Sequence, residues 1–92
     1  MIIHITHTFK NAAKKLPAKQ KLIVEDAIEK IASDPDIGEQ KKGDLAGVFV
    51  HKFKIHHQLM LLAYTYHKTG KQDILTLLSL GTHENFYRDL KK

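Results

Sequence analysis

The sequence predicts an α+β fold in which two N-terminal helices pack on one face of a small antiparallel sheet. Apolar residues recur at helical spacing between residues 9 and 32, and the period changes to two from residue 48 onward. The later strands are joined by short links, which favours an antiparallel meander. The expected order is β-α-α-β-β-β with a short C-terminal helix, in a single domain spanning residues 1–92.

The N-terminal part predicts one strand and one short helix. Residues 1–5 are rich in β-branched side chains, which favour a strand. Thr6 or Thr8 can cap the helix that follows, and Pro17 ends it. Its apolar positions are Phe9, Ala12, Ala13 and Leu16.

A second helix is predicted over residues 18–32. Pro17 suits its first turn, and Pro35 prevents its continuation because the residue before a proline avoids helical geometry. One face should form the apolar stripe, which consists of Leu22, Ile23, Ala27, Ile28 and Ile31.

The C-terminal half predicts a meander. Residues 36–47 contain three of the five glycines and no periodicity, so they form a connecting loop. Residues 48–55 alternate, residues 58–66 are almost continuously apolar as in a central strand, and residues 73–80 give a last strand. A short helix is expected over residues 84–90. The helices cover one face of the sheet, and the opposite face is left for function.

Composition limits the class of protein. Fifteen Lys and Arg face ten Asp and Glu, for a net charge of +5, which favours a nucleic acid or an acidic protein as partner without choosing between them. The absence of cysteine and of a long apolar run favours a cytoplasmic protein that does not enter a membrane. No glycine-rich phosphate loop, Ser-His-Asp pattern or carboxylate pair supports a kinase, hydrolase or glycosidase.

Lys52 and Lys54 lie two residues apart on one strand, so both ammonium groups project from the same face and can hold one phosphate. Alternatively, they protect an exposed edge strand against aggregation, which spacing alone slightly favours. His56 and His57 follow at the hairpin end as candidate substrate contacts. Adjacent histidines on an extended chain point to opposite faces, so no metal site and no cofactor is expected.

The segment after Gly81 carries the candidate chemistry. His83 follows a glycine turn and suits proton transfer near neutral pH, although it can equally be a helix cap or a surface histidine. Of Phe86 and Tyr87, one should anchor the terminal helix while the other can stack on an unpaired base. Arg88 fits a phosphate contact and a solvated helix charge equally well.

The element order, the Leu45-Ala46-Gly47 step before HKFKI, the QLMLLAYTY strand and the closing LLSLGTHENFY together resemble the RelE/ParE superfamily of bacterial type II toxins. The resemblance covers nearly the whole chain. It implies a small basic toxin encoded beside an antitoxin. The RelE-like branch cleaves messenger RNA in the ribosomal A site, and the ParE-like branch poisons DNA gyrase.

The resemblance favours the RelE/YafQ-like branch. Lys52 and Lys54 match a pair of basic residues on the second strand of the RelE-like branch. His83 lies where that branch carries an arginine or, in the YafQ-like members, a catalytic histidine after Gly-Thr. Tyr87 falls near the terminal aromatic that stacks on the substrate base. The chain departs from the family where an arginine is common on the next strand, since it has Leu59 to Leu62 there. Arg88 is the candidate replacement.

The resulting expectation is a metal-independent, ribosome-dependent endoribonuclease. His83 would act as acid or base, Lys52 and Lys54 would stabilise charge, and Tyr87 would stack. Arg88, His56, His57 and Phe86 would contact substrate. The partners would be mRNA on the ribosome and an acidic antitoxin that is partly disordered until bound. The alternatives are a gyrase inhibitor without catalytic activity and an inactive antitoxin-binding member.

Overall fold

The computed structural model describes residues 1–82, which form a five-stranded sheet with two helices on one face. The strands are β1 (Ile2–Ile5), β2 (Glu39–Gln40), β3 (Phe49–Ile55), β4 (Gln58–Lys68) and β5 (Asp73–Thr82), and the helices are α1 (His7–Lys14) and α2 (Ala18–Ser33). The α+β class is confirmed. The helix predicted over residues 84–90 lies outside the described residues.

The spatial order of the strands is β1-β5-β4-β3-β2. The meander of β3, β4 and β5 is antiparallel as predicted, and β4 lies at its centre. The sheet is mixed, however, because β1 runs parallel to β5, with Ile2 opposite Ile74 and Ile5 opposite Leu77. The local sequence of β1 does not determine its direction relative to β5. That direction depends on the end of the sheet at which the chain re-enters after the two helices.

Thr6 begins α1. Its hydroxyl accepts a hydrogen bond from the Phe9 backbone N–H at 3.1 Å and donates one to the Leu78 carbonyl at 2.7 Å. The cap therefore satisfies the helix terminus and fastens it to β5. The helix begins at His7, two residues before the first apolar position, and ends three residues before Pro17.

One predicted member of the α2 stripe is wrong. Leu22 is 64% exposed, and Val24 is buried in its place together with Ala27 and Ile31. At 3.6 residues per turn, Leu22 lies about 200° around the helix from Val24, on the opposite side. No helix within residues 1–82 is long and apolar enough to cross a membrane.

The two faces of the sheet are packed unequally. The main core lies between the helices and the sheet and includes ten buried residues: Phe9, Val24, Ile31, Ile55, Met60, Leu62, Tyr64, Leu75, Leu77 and Leu80. On the opposite face, Val50, Leu61 and Ala63 form a smaller buried cluster. That face is therefore apolar at its middle, and Glu39, Lys52 and Lys54 lie on it at β2 and β3.

The predicted loop 36–47 contains more structure than its composition indicates. Glu39 and Gln40 form β2 and pair antiparallel with Val50 and Phe49, and a 3-10 turn follows at Gly43–Leu45. A two-residue strand shows no periodicity, so it is recognisable only from its partner strand.

Candidate functional site

Lys52 and Lys54 project from β3 on the face of the sheet that the helices do not cover. The alternation of β3 places Phe49, Phe53 and Ile55 against the helices and the two lysines on the other side. Across the strand pair, Lys52 lies opposite Leu61 and Lys54 opposite Leu59. Both lysines are solvent-exposed beside an apolar surface, so their ammonium groups are available to a phosphate.

Glu39 brings a carboxylate to the same place. It pairs with Val50 and therefore lies on the same face as the lysines. Its Oε2 atom lies 3.7 Å from Lys52 Nζ and 3.4 Å from Lys41 Nζ. We name Lys52, Lys54 and Glu39 the basic edge. Sequence reasoning missed Glu39, because the segment has no periodicity. Its only signal was one carboxylate shortly before Lys41 and Lys42.

Tyr64 holds β2 in position from the helix side of the sheet. Its hydroxyl donates a hydrogen bond to the Pro35 carbonyl at 2.6 Å and accepts one from the Gly38 N–H at 3.0 Å. The approach leaves no room for a side chain at residue 38, since a Cβ there would lie 2.7 Å from the Tyr64 hydroxyl oxygen. Tyr64 thus determines where Glu39, the residue after Gly38, enters the sheet.

Two tyrosines of β4 have altered acidity. Burial raises the pKa of Tyr64, so its hydroxyl keeps the proton that it donates to Pro35. Two residues farther along the strand, a hydrogen bond of 2.8 Å to the Asp73 carboxylate raises the pKa of Tyr66. Both groups are structural donors at neutral pH, and neither belongs to the basic edge.

His51 directly precedes Lys52 on β3 and lies on the other face of the sheet. Its ring stacks on that of Phe53, with centroids 5.8 Å apart. Burial, and secondly the charge of Lys30 on α2, lower the pKa of His51 below its ordinary value of 6.5. His51 is therefore neutral at physiological pH and belongs to the packing between α2 and β3.

His56 and His57 form the two-residue turn between β3 and β4. Both have left-handed backbone conformations, with φ of 49° and 71°, whereas hairpin turns of this kind usually carry Asn-Gly. The expectation that they lie on an extended chain is wrong. They remain close to Lys54, at the hairpin end of the basic edge.

The predicted catalytic His83 and Tyr87, and the predicted substrate contacts Phe86 and Arg88, lie outside the described residues. Within residues 1–82, no three His, Asp or Glu side chains are grouped as metal ligands. The basic edge therefore provides two ammonium groups for an anion and one carboxylate that can accept a proton.

Among solved structures, the fold is similar to several bacterial toxins. A YoeB/ParE toxin from Agrobacterium tumefaciens superposes with a TM-score of 0.74 at 20% identity, over 90% of this chain and 99% of that chain. The toxin-antitoxin complex RelBE2 from Mycobacterium tuberculosis gives 0.70 at 20% identity, over 89% and 96%. A mutant of the E. coli toxin RelE in the free state gives 0.66 at 12% identity, over 97% and 87%.

Sequence comparison gives the family. No curated protein matches the chain significantly. A family model described as the ParE-like toxin of type II bacterial toxin-antitoxin systems matches residues 3–91, almost the full length. That match agrees with the fold shared with the three toxin structures. The chain therefore belongs to the ParE-like toxin family of type II toxin-antitoxin systems.

Proposed function

We propose that this toxin inhibits translation as a ribosome-dependent mRNA endoribonuclease of the cytoplasm. The observation that carries the proposal is the basic edge: two exposed lysines on one face of β3 with a carboxylate 3.7 Å from one of them. Cleavage of RNA requires stabilisation of phosphate charge together with proton transfer. The basic edge supplies both kinds of group within one small area.

The proposed reaction is an internal transesterification. The 2′-oxygen of a ribose bonds to the adjacent phosphorus, and the bond from phosphorus to the 5′-oxygen of the next nucleotide breaks. One proton leaves the 2′-hydroxyl and another is delivered to the departing 5′-oxygen. Lys52 and Lys54 stabilise the additional negative charge, and Glu39 is suited to accept the first proton. His83 is proposed as the proton donor and Tyr87 as the stacking residue.

The test is to sequence transcript ends after brief expression of the toxin. We expect new 5′ ends within translated regions for the wild type and at least about tenfold fewer for Lys52→Ala with Lys54→Ala, since charge-stabilising groups typically contribute a hundredfold or more. Lys71→Ala is the matched control because Lys71 is exposed in the turn before β5, away from the basic edge. Its cleavage should equal that of the wild type.

Two results would contradict the proposal. Intact transcripts during growth arrest by the wild type would exclude nuclease activity. Full cleavage by the double lysine variant would show that the basic edge is not the site. His83→Ala, tested alongside, assigns the proposed proton donor, and unchanged cleavage by that variant would remove it from the mechanism.

The second candidate function is inhibition of DNA gyrase without catalysis. It is supported by the ParE-like description of the matching family model. Gyrase poisoning predicts DNA damage signalling with intact transcripts, whereas nuclease activity predicts rapid loss of translation with intact DNA. Measuring both responses after the same brief expression separates the two candidates.

We further propose that a cognate antitoxin binds the groove between α1 and α2. Similar toxins have been solved as complexes with antitoxins. The groove encloses about 460 Å³, its floor includes Phe9, Val24 and Ile28, and lysines lie along it at Lys10 and Lys14. An acidic amphipathic segment is complementary to this groove, because apolar residues can fill it while carboxylates meet the lysines.

The antitoxin proposal predicts salt-sensitive binding. Exchanging Lys10 and Lys14 for glutamine should weaken the complex at low salt and reduce its salt dependence, because both charges border the groove. The same exchange at Lys68 and Lys71 is the control. Equal affinity of both variants at every salt concentration would exclude this groove as the antitoxin site.

A further inference from the structure

A second cavity lies at the hairpin end of the sheet, on the helix side. It encloses about 340 Å³ between the start of α2, the turn after β3 and the end of β5. Four polar side chains line it, Gln20, His56, Gln58 and Thr82, above an apolar floor that includes Ile55 and Met60. We name it the hairpin cavity.

The polar groups of the hairpin cavity have no side-chain partner among the described residues. Neither amide, nor the imidazole, nor the hydroxyl makes a side-chain hydrogen bond or ion pair in the part of the chain from residue 1 to 82. The floor is closed, since Ile55 is 4% and Met60 is 7% exposed. Free donors and acceptors around an apolar floor are the usual composition of a small-ligand site.

The lining indicates the chemical class of the ligand. Among the described residues that line the cavity, none carries a carboxylate, ammonium or guanidinium group, so this lining has no fixed charge to select an ion. A nucleobase is neutral and flat, with apolar faces and hydrogen-bonding edges, and single-stranded RNA presents its bases unpaired. The two glutamine amides each offer donors and an acceptor for such an edge.

The hairpin cavity is also adjacent to the basic edge. Lys54 lies two residues before His56 and projects from the other face of the sheet, so a chain passing around the hairpin can reach both. The left-handed conformations of His56 and His57 keep this turn to two residues. Left-handed backbone at two non-glycine residues is unfavourable and persists only where the surrounding structure holds it.

We propose that the hairpin cavity binds one nucleobase of the RNA whose phosphate is held by Lys52 and Lys54. This assignment rests on the proposed nuclease function and adds to it a base-binding subsite. It makes Gln20 and Gln58 determinants of the base preferred beside the cleaved bond. A free nucleoside shares the same chemistry and would compete for the cavity only at high concentration, because it lacks the phosphate contacts.

The test is binding of a labelled single-stranded RNA oligonucleotide to the purified full-length protein, followed by fluorescence anisotropy. A second set of oligonucleotides is also tested, in which each member lacks the base at a different single position. We expect Gln58→Leu and Gln20→Leu each to weaken binding of the intact RNA about tenfold. One oligonucleotide of the second set lacks the base that the wild type binds in the cavity. Both glutamine variants should bind this oligonucleotide as tightly as the wild type does. Gln72→Leu, in the exposed turn before β5, is the matched control.

Lys54→Ala separates the two subsites, because loss of a phosphate contact weakens the intact and the base-deleted RNA equally. Equal RNA affinity for the glutamine variants and the wild type would overturn the proposal. So would weakening that is the same with and without the base. Gln58 is exposed, so its exchange should not disturb folding, and thermal unfolding verifies this. If Gln20→Leu fails to fold, the result for Gln58→Leu alone decides the proposal.

Transcript sequencing distinguishes failure of the subsite from failure of the nuclease function. If the wild type cuts transcripts and Gln58→Leu cuts with the same base preference, the subsite is refuted and the function stands. If the wild type binds RNA with the expected base dependence and cuts none, the function is refuted and the subsite stands.

Discussion

The two faces of the sheet differ in what holds them together. On the helix side, ten buried residues from both helices and three strands form one core. On the other side, three buried residues form a small cluster, and the charged residues of the basic edge lie beside it in solvent. We expect the first face to determine stability and the second to tolerate substitution, so that a functional residue there can change without unfolding the protein.

The largest expected effect is loss of a core leucine. Leu61 and Leu62 are neighbours on β4, both 0% exposed, and point to opposite faces. Leu62→Ala should lower the free energy of unfolding by about 3–5 kcal/mol, and Leu61→Ala by about 2–3 kcal/mol because the smaller cluster can close more of the cavity. Urea denaturation of both variants measures the difference. A larger loss for Leu61→Ala would reverse the assignment of the two faces.

The next effect concerns Tyr64, which holds β2 in position from the helix side of the sheet. Tyr64→Phe removes the donor to Pro35 and the acceptor for Gly38. We expect a loss of about 1–3 kcal/mol in unfolding free energy. Amide exchange at Gly38 and at β2 should accelerate, and transcript cleavage should fall because Glu39 is no longer held beside Lys52. Unchanged exchange at Gly38 would show that Tyr64 does not position β2.

The pH dependence of stability should originate in part from His51. Its folded pKa is lowered, so as pH falls below about 6.5 the unfolded chain binds a proton before the folded chain does. Stability is therefore unaffected by this group above pH 6.5 and decreases as pH falls toward the folded pKa. Urea denaturation at pH 7.5 and pH 5 should show a smaller decrease for His51→Gln than for the wild type.

Two controls refine this measurement. Lys30→Gln should give an intermediate decrease, because the Lys30 charge is the second cause of the lowered pKa after burial. His67→Gln, exposed near the end of β4, should behave like the wild type. An identical pH dependence in His51→Gln and the wild type would remove His51 as a contributor.

The smallest effect on stability is expected at the basic edge. Lys52 and Glu39 side chains are 50% and 59% exposed, and exposed ion pairs typically contribute about 0.2–1 kcal/mol. Lys52→Ala and Glu39→Gln should each change the unfolding free energy by less than about 1 kcal/mol while reducing transcript cleavage at least tenfold. Loss of cleavage accompanied by a large loss of stability would mean that the edge supports the fold.

Part of the site could be derived from the sequence. Alternation over β3 was enough to place Lys52 and Lys54 on one face, because side chains alternate along any strand whatever surrounds it. Glu39 could not be derived, since it lies in a two-residue strand that forms only against Val50 and Phe49. The hairpin cavity was also invisible, because its lining comes from α2, β4 and β5 as well as from the predicted turn.

The sequence by itself determined the elements whose signal is local: two helices, three strands of a meander and the central position of β4. The tertiary structure alone decided the parallel direction of β1, the exposure of Leu22 and the approach of Glu39 to Lys52. Periodicity reports whether a residue can face a core, which is a property of neighbouring positions in the chain. Strand direction and side-chain partners depend on segments far apart in sequence, so they are set only when those segments pack together.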